Sequence, residues 1–282
     1  MTVRPTRRSK EPDTFAALAR LNFRFLVGET VRSTLDLAFQ HPRPGVARGQ
    51  ILQANPAHAA PPMAPDEGLE VLFTPSTGKA ANQSAAPQGP WLAAAPGETV
   101  TVKAGEISVR WRPGRAVVSA PTRLAFPALR AVVDFAYHDA ALRTVEAAIL
   151  NNWTAVEADA PLTSAVSDKE FNGAGQLAAR MAGVIALRLQ FARIEPRVLC
   201  PDPELPEAAY ALGEALRDAV HCDSRAEAAD GQIESQEYVY ELSSQRRGDH
   251  HHARKGYLIE IVIVALLAAE LVLGLIYAIQ KI

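Results

Sequence analysis

The chain of 282 residues has little cysteine, little lysine and no excess of either charge, and each shortage excludes something. Two cysteines, Cys200 and Cys222, cannot build a disulfide scaffold and suit a reducing compartment. Lysine supplies only 6 of the 29 basic residues and Ala is abundant, a pattern of high-GC coding that says nothing of function. With 29 basic against 31 acidic residues, the chain lacks the basic excess of a general nucleic-acid binder, so direct nucleic-acid binding is not expected. The N-terminal Arg4, Arg7, Arg8 and Lys10 precede no apolar stretch that would make a secretory signal. Glu11 and Asp13 interrupt the acid-poor pattern of a mitochondrial presequence. No repeat of solenoid length occurs.

Familiar chemistry is also missing. Thr77-Gly78-Lys79-Ala80 resembles the end of a phosphate loop, but Phe73 stands where a glycine is needed and Ala80 replaces Ser or Thr. Gly173-Ala-Gly175 has no strand before it and reads as a loop or helix start. His221 and Cys222 are neighbours, and adjacent side chains on a helix diverge, so they do not form a nucleophile pair. His250, His251 and His252 diverge in the same way and read as a pH-sensitive basic patch facing lipid headgroups rather than as a metal site. No catalytic, cofactor-binding or metal-binding residue is assigned, and no cofactor is expected.

What is present is a long apolar run, Tyr257 to Ile279. At about 1.5 Å per residue, these 23 residues reach roughly 35 Å, enough for a hydrocarbon core of about 30 Å. Fourteen are Leu, Ile or Val, which together favour insertion by about 4 to 8 kcal/mol. Glu260 near the helix start can reach the headgroups, while Glu270 near the middle costs about 3 kcal/mol. Insertion still wins. Arg246, Arg247, Arg254 and Lys255 precede the run and only Lys281 follows it, which predicts that the N-terminal bulk lies on the cytoplasmic or matrix side. Glu260 and Glu270 fall about 80° apart on a helix, and Gly274 and Ala278 extend the Glu270 line as a small-residue track. A carboxyl at that depth is protonated or paired across helices, so these four residues are the predicted helix-association face.

The rest reads as an α+β protein. Residues 1–41 form an N-terminal segment of the α+β domain, where Phe15, Leu18, Leu21, Phe25, Val31, Leu35 and Phe39 suit helical spacing. Residues 42–98 hold half of the 20 prolines and read as a Pro/Ala-rich flexible insertion, with Leu69 to Phe73 as a lone strand. Residues 99–126 form a small sheet, because apolar positions alternate at Val100–Ala104 and Ile107–Trp111, and Pro113-Gly114 separates these from a further run, Arg115–Ser119. Residues 127–247 are helical. Leu142, Val145, Ile149, Trp153 and Val156 mark one face, and Leu177, Met181, Val184, Leu187, Phe191 and Ile194 another that ends at Pro196. One further helix to about Arg247 carries Leu205, Leu212, Ala219, Ala226, Ile233 and Tyr240 at intervals of seven, as in a helical hairpin or coiled coil. The transmembrane helix, 257–279, completes the order.

The C-terminal part resembles the family called "required for meiotic nuclear division". Its members end in a helical pair closed by a transmembrane helix that starts Leu-Glu and carries a second glutamate ten residues on. LIEIVIVALLAAELVLGL, with Glu260 and Glu270, is similar, and His252 and Arg254 stand where the family has a His and an Arg. LCPDPELPEAAYALGEALRD (199–218) and AVVDFAYHDAALRTVEAAI (131–149) also resemble family segments. Ile261 departs from the family's aromatic at that place. The resemblance implies an α+β domain on the inner side, a helical hairpin and an inner-membrane anchor in a protein that organises others as an oligomer; it carries over no catalytic residue.

The expected function is therefore a membrane-anchored, non-enzymatic scaffold. It would be homo-oligomeric through its helical region and transmembrane helix, contact lipid, and reside in a bacterial inner membrane with its bulk in the cytoplasm, or in the mitochondrial inner membrane with its bulk in the matrix. The alternatives are a tethered enzyme with a pocket in the α+β portion and, last, a transport or channel subunit.

Overall fold

Alternation of apolar and polar side chains builds the sheet, and helical spacing builds everything after it. The computed structural model describes residues 19–39, 45–52, 63–76, 88–164 and 176–280, with side chains to residue 273. The chain divides into two compact units, one from residues 1–148 and 188–230, the other from residues 149–187 and 231–282.

The first unit holds a seven-stranded sheet made of β1 (Ala19–Val27), β2 (Leu37–Phe39), β3 (Gly45–Leu52), β4 (Gly68–Pro75), β5 (Val100–Ala104), β6 (Ile107–Arg112) and β7 (Arg115–Ala120). The order is β2-β3-β1-β4-β7-β6-β5. Only the central β4–β7 pair is parallel; every other pair is antiparallel. Strand side chains alternate between faces. On one face, Phe25, Phe39 and Trp111 pack on helix α2 (Ala125–Asp159): Phe39 stacks on Tyr137 at 4.2 Å, and Trp111 meets Phe135 edge-on at 5.0 Å. On the other face, Leu72 and Val117 pack with Trp91 and Leu92 of the short helix α1 (Gln88–Ala93). A buried ion cluster shares that second face. Glu70 accepts from Arg20 at 3.0 Å and from Arg115 at 2.9 Å, and Arg115 lies over the Trp91 ring.

The three strands expected between 100 and 120 are present, and Gly114 turns β6 into β7 at φ +82°. Two expectations fail here. Within the described part of 14–41, the helical spacing gives strands β1 and β2 instead: Ala19, Leu21 and Phe23 are buried at intervals of two, while Phe15 and Leu18 lie outside the described residues. The stretch 42–98 is not a flexible insertion with one lone strand either, because β3, β4 and α1 lie in it. Far from being a lone strand, β4 is central and buried along its length, which explains why GLEVLFTP shows no alternation. The loop-like sequences at 77–80 and 173–175 lie outside the described residues.

Helices α3 (Leu177–Leu199), α4 (Glu207–Ala219) and α5 (Cys222–Gln280) follow. The two predicted faces are largely buried: Leu142, Val145, Ile149 and Val156 on α2, and Leu177, Val184, Leu187, Phe191 and Ile194 on α3, while Trp153 and Met181 are half-buried. Pro196 does not end α3. It lies in the last turn, and the helix still closes with the Cys200 N–H donating to the Pro196 carbonyl at 3.1 Å. The single helix expected up to Arg247 is broken after Ala219. His221 takes a left-handed φ of +56°, a conformation that terminates helices, and Ala219 is exposed at the break.

Below the break the heptad survives in register. Cys222, Ala226 and Ala229 are buried in the first unit. In the second unit, Ile233, Gln236, Tyr240 and Ser243 are at most 1% exposed, at alternating intervals of three and four. There, Gln236 Nε2 donates to the Ile149 carbonyl at 3.1 Å, Trp153 Nε1 to Gln232 at 3.4 Å, and Arg180 pairs with Asp159. The helix then continues without interruption through 248–256 and joins the helical region ending at 247 to the apolar run from 257.

Candidate functional site

Among the described residues, α5 from 258 to 273 has no protein packed on it. Its Leu, Ile and Val side chains from 258 to 273 are 47–77% exposed. A window of 18 residues has a mean hydropathy of 2.3 with none of it buried. Apolar exposure of this extent marks an interaction surface, and this helix is long and apolar enough to cross a membrane. Glu260 and Glu270 are exposed on it, and the unbroken helix keeps them on one broad side, about 80° apart. Gly274 and Ala278 belong to α5, but their side chains lie outside the described residues. Arg246, Arg247, Arg254 and Lys255 are exposed on the turns that lead into the apolar run. The structure thus brings these basic residues together on one helical segment. His251 and His252 lie within it with ring centroids 6.5 Å apart. Among the described residues, no group of three or more His, Cys, Asp or Glu is gathered for a metal ion.

The first unit has a second feature, a cavity of about 440 Å³ that sequence reasoning missed. Phe126, Arg130, Asp134 and His138 line it from α2 at intervals of four, so they form one row on the helix. Asp36 to Phe39 close it at β2, and Arg197, Asp202 and Glu204 close it at the end of α3 and beyond. The row Arg-x₃-Asp-x₃-His within an otherwise apolar segment was the available signal. Its significance depends on partners 72 to 83 residues away in the chain, which spacing cannot reveal.

Buried charge organises this cavity. His138 Nδ1 lies 2.8 Å from the Asp134 carbonyl and 3.3 Å from the Asp134 carboxylate. A carbonyl only accepts, so Nδ1 carries the proton and Nε2 is left facing elsewhere. Arg217 donates to Asp134 Oδ2 at 3.0 Å and also to the carbonyls of Arg197, Val198 and Gly213, which ties α4 and the end of α3 to α2. Burial pushes the Asp134 carboxyl upward, but the hydrogen bonds and charges of His138 and Arg217 outweigh it and hold the pKa below the ordinary Asp value. Asp36 is lowered likewise: burial is overcome by the backbone N–H groups of Arg32 and Ser33 and by the Ser33 hydroxyl.

A second cavity, of about 510 Å³, lies beside the α4–α5 break and includes His221 and Cys222. Burial, helped by the Asp139 charge, pushes the Cys222 thiol up to about 11, so it carries little thiolate at neutral pH.

No family model matches the chain, and no curated protein matches it.

Proposed function

We propose that this protein is a membrane-anchored, non-enzymatic scaffold that self-associates and holds partner proteins at the inner face of a membrane. One observation carries the reading: a single helix, α5, is a buried heptad seam at one end and an exposed apolar rod at the other. A rod of that kind is satisfied by lipid, and the exposed Arg246, Arg247, Arg254 and Lys255 suit anionic headgroups beside it. By the positive-inside rule the large N-terminal part faces the cytoplasm of a bacterium, or the matrix of a mitochondrion. The resemblance to the "required for meiotic nuclear division" family favours the same role. Glu270, at mid-membrane depth, is the group that association through the apolar helix would shelter.

The test is the size and crosslinking of the full-length protein in mild detergent, beside its Glu270→Leu variant. A defined oligomer that weakens in the variant, while both partition into membranes, supports the scaffold. A monomer in both removes it.

A further inference from the structure

We propose that the cavity between α2, β2 and the α3–α4 connection is a binding site for a small organic anion, a carboxylate or phosphate monoester with an apolar body. The proposal does not depend on how the chain assembles.

The first observation is His138. It is 3% exposed and lines the cavity, its Nδ1 is committed to Asp134, and Nε2 has no protein partner among the described residues. Nε2 then opens on the cavity as an acceptor, and a ligand O–H, such as that of a singly protonated phosphate, would satisfy it.

The second observation is a pair of arginines that reach the cavity from different helices. Arg130 of α2 bonds Asp202 Oδ2 at 2.7 Å and Glu204 at 3.3 Å, both through Nη2. Arg197 of α3 bonds Asp202 Oδ1 at 3.4 Å through Nη1. Each guanidinium is about one-third exposed, and its Nε and other Nη have no acceptor among the described residues. Asp202 therefore sets the two forks side by side without saturating either one. Paired guanidinium forks with donors to spare suit the planar oxygens of a carboxylate or phosphate.

The carboxylates on the wall do not cancel this preference. Asp36 is taken up by two backbone N–H groups and the Ser33 hydroxyl, and Asp134 by Arg217 and His138. Glu204 is 79% exposed at the rim. A cationic ligand would find every buried carboxylate already paired, whereas an anionic one finds unused donors. Phe39, Phe126 and Leu37 supply an apolar wall for the body of the ligand. The volume is in the range of small-molecule sites.

The experiment is calorimetric titration of the full-length protein in mild detergent with phenyl phosphate, benzoate and benzylamine. Saturable one-to-one binding of at least one anion is expected, and the stronger of the two identifies the head group. Arg197→Gln and, separately, His138→Gln should each weaken that binding tenfold or more, with thermal melting of each variant showing whether the fold is kept. If one variant does not fold, Arg130→Gln replaces it. The proposal is overturned if neither anion saturates, if the folded variants bind as the parent does, or if benzylamine binds more tightly than both anions.

Discussion

Asp134 holds two partners at once, His138 on its own helix and Arg217 from α4, and it does so as a carboxylate. Its folded pKa lies below the unfolded value of about 3.9, so the stability it contributes is present above that value and is lost as pH falls through the folded pKa. Thermal melts between neutral pH and about pH 3 should therefore show a steeper acid loss in the parent than in Asp134→Asn. At neutral pH that variant should be less stable by about 3 kcal/mol, because Arg217 keeps its charge in a buried place and loses its counter-ion. The two thiols give a second contrast. Cys200 is exposed, while the Cys222 thiol is buried and pushed up to about 11. Under native conditions near neutral pH a maleimide should label Cys200 alone, and Cys222 should react only after unfolding; mass spectrometry of the labelled peptides decides it. Gly114 is strained for any other residue. Its φ is +82° and an added Cβ would meet the Met63 carbonyl oxygen at 2.6 Å, so Gly114→Ala should cost at least about 1 kcal/mol in chemical denaturation.

At the scale of elements, the heptad of α5 is what the second unit is built on. Ile233 is fully buried in it, and Ile233→Ala should cost about 2–5 kcal/mol, read as a fall in melting temperature. Gln236 is the one amide among these buried positions, bonded to the Ile149 carbonyl, the kind of polar residue that fixes register in a helical seam. Elements showed in the sequence according to how sharply their environment divides. β6 alternates because one side chain in two is buried, β5 alternates in sequence beside it, and Gly114 marks the turn into β7, which is buried on both faces. The helix faces at Leu142 and Leu177 were readable for the same reason. β1 was misread because its apolar residues, Ala19, Leu21, Phe23 and Phe25, also meet a helical template if every second one is skipped. β3 was hidden by the Pro-rich composition around it, and the same composition made β4 read as a lone strand; long-range pairing overrides that local signal. The break at His221 left no mark, since a left-handed histidine has no motif. The cavity was the least legible feature. Its α2 row is visible in the sequence, but Arg197, Asp202 and Arg217 give it meaning only through the tertiary fold.

For the whole molecule, the apolar run near the C-terminus was the plainest signal, and its exposure in the structure agrees with it. Removing it should decide where the protein goes: a chain ending at residue 246 should leave the membrane pellet on fractionation, whereas the full chain stays in it. Reversing the charge of Arg254 and Lys255 together should redistribute orientation, measured by protease protection of the N-terminal bulk in sealed vesicles.

The unbroken course of α5 makes angular phase a property of the protein. Between Tyr240 in the seam and Glu270 in the apolar rod lie thirty steps of one helix, which set Glu270 about 120° around the axis from Tyr240. The helix has no break between them that would absorb an error. One residue inserted after Gly248 would turn the Glu270 face by about 100° against the seam, while seven would return it to within about 20°. Such an insertion leaves composition and hydropathy almost untouched. If the two ends of α5 work together, the crosslinked oligomer should fall with one added alanine and recover with seven, like a key whose cut depends on how far it is turned.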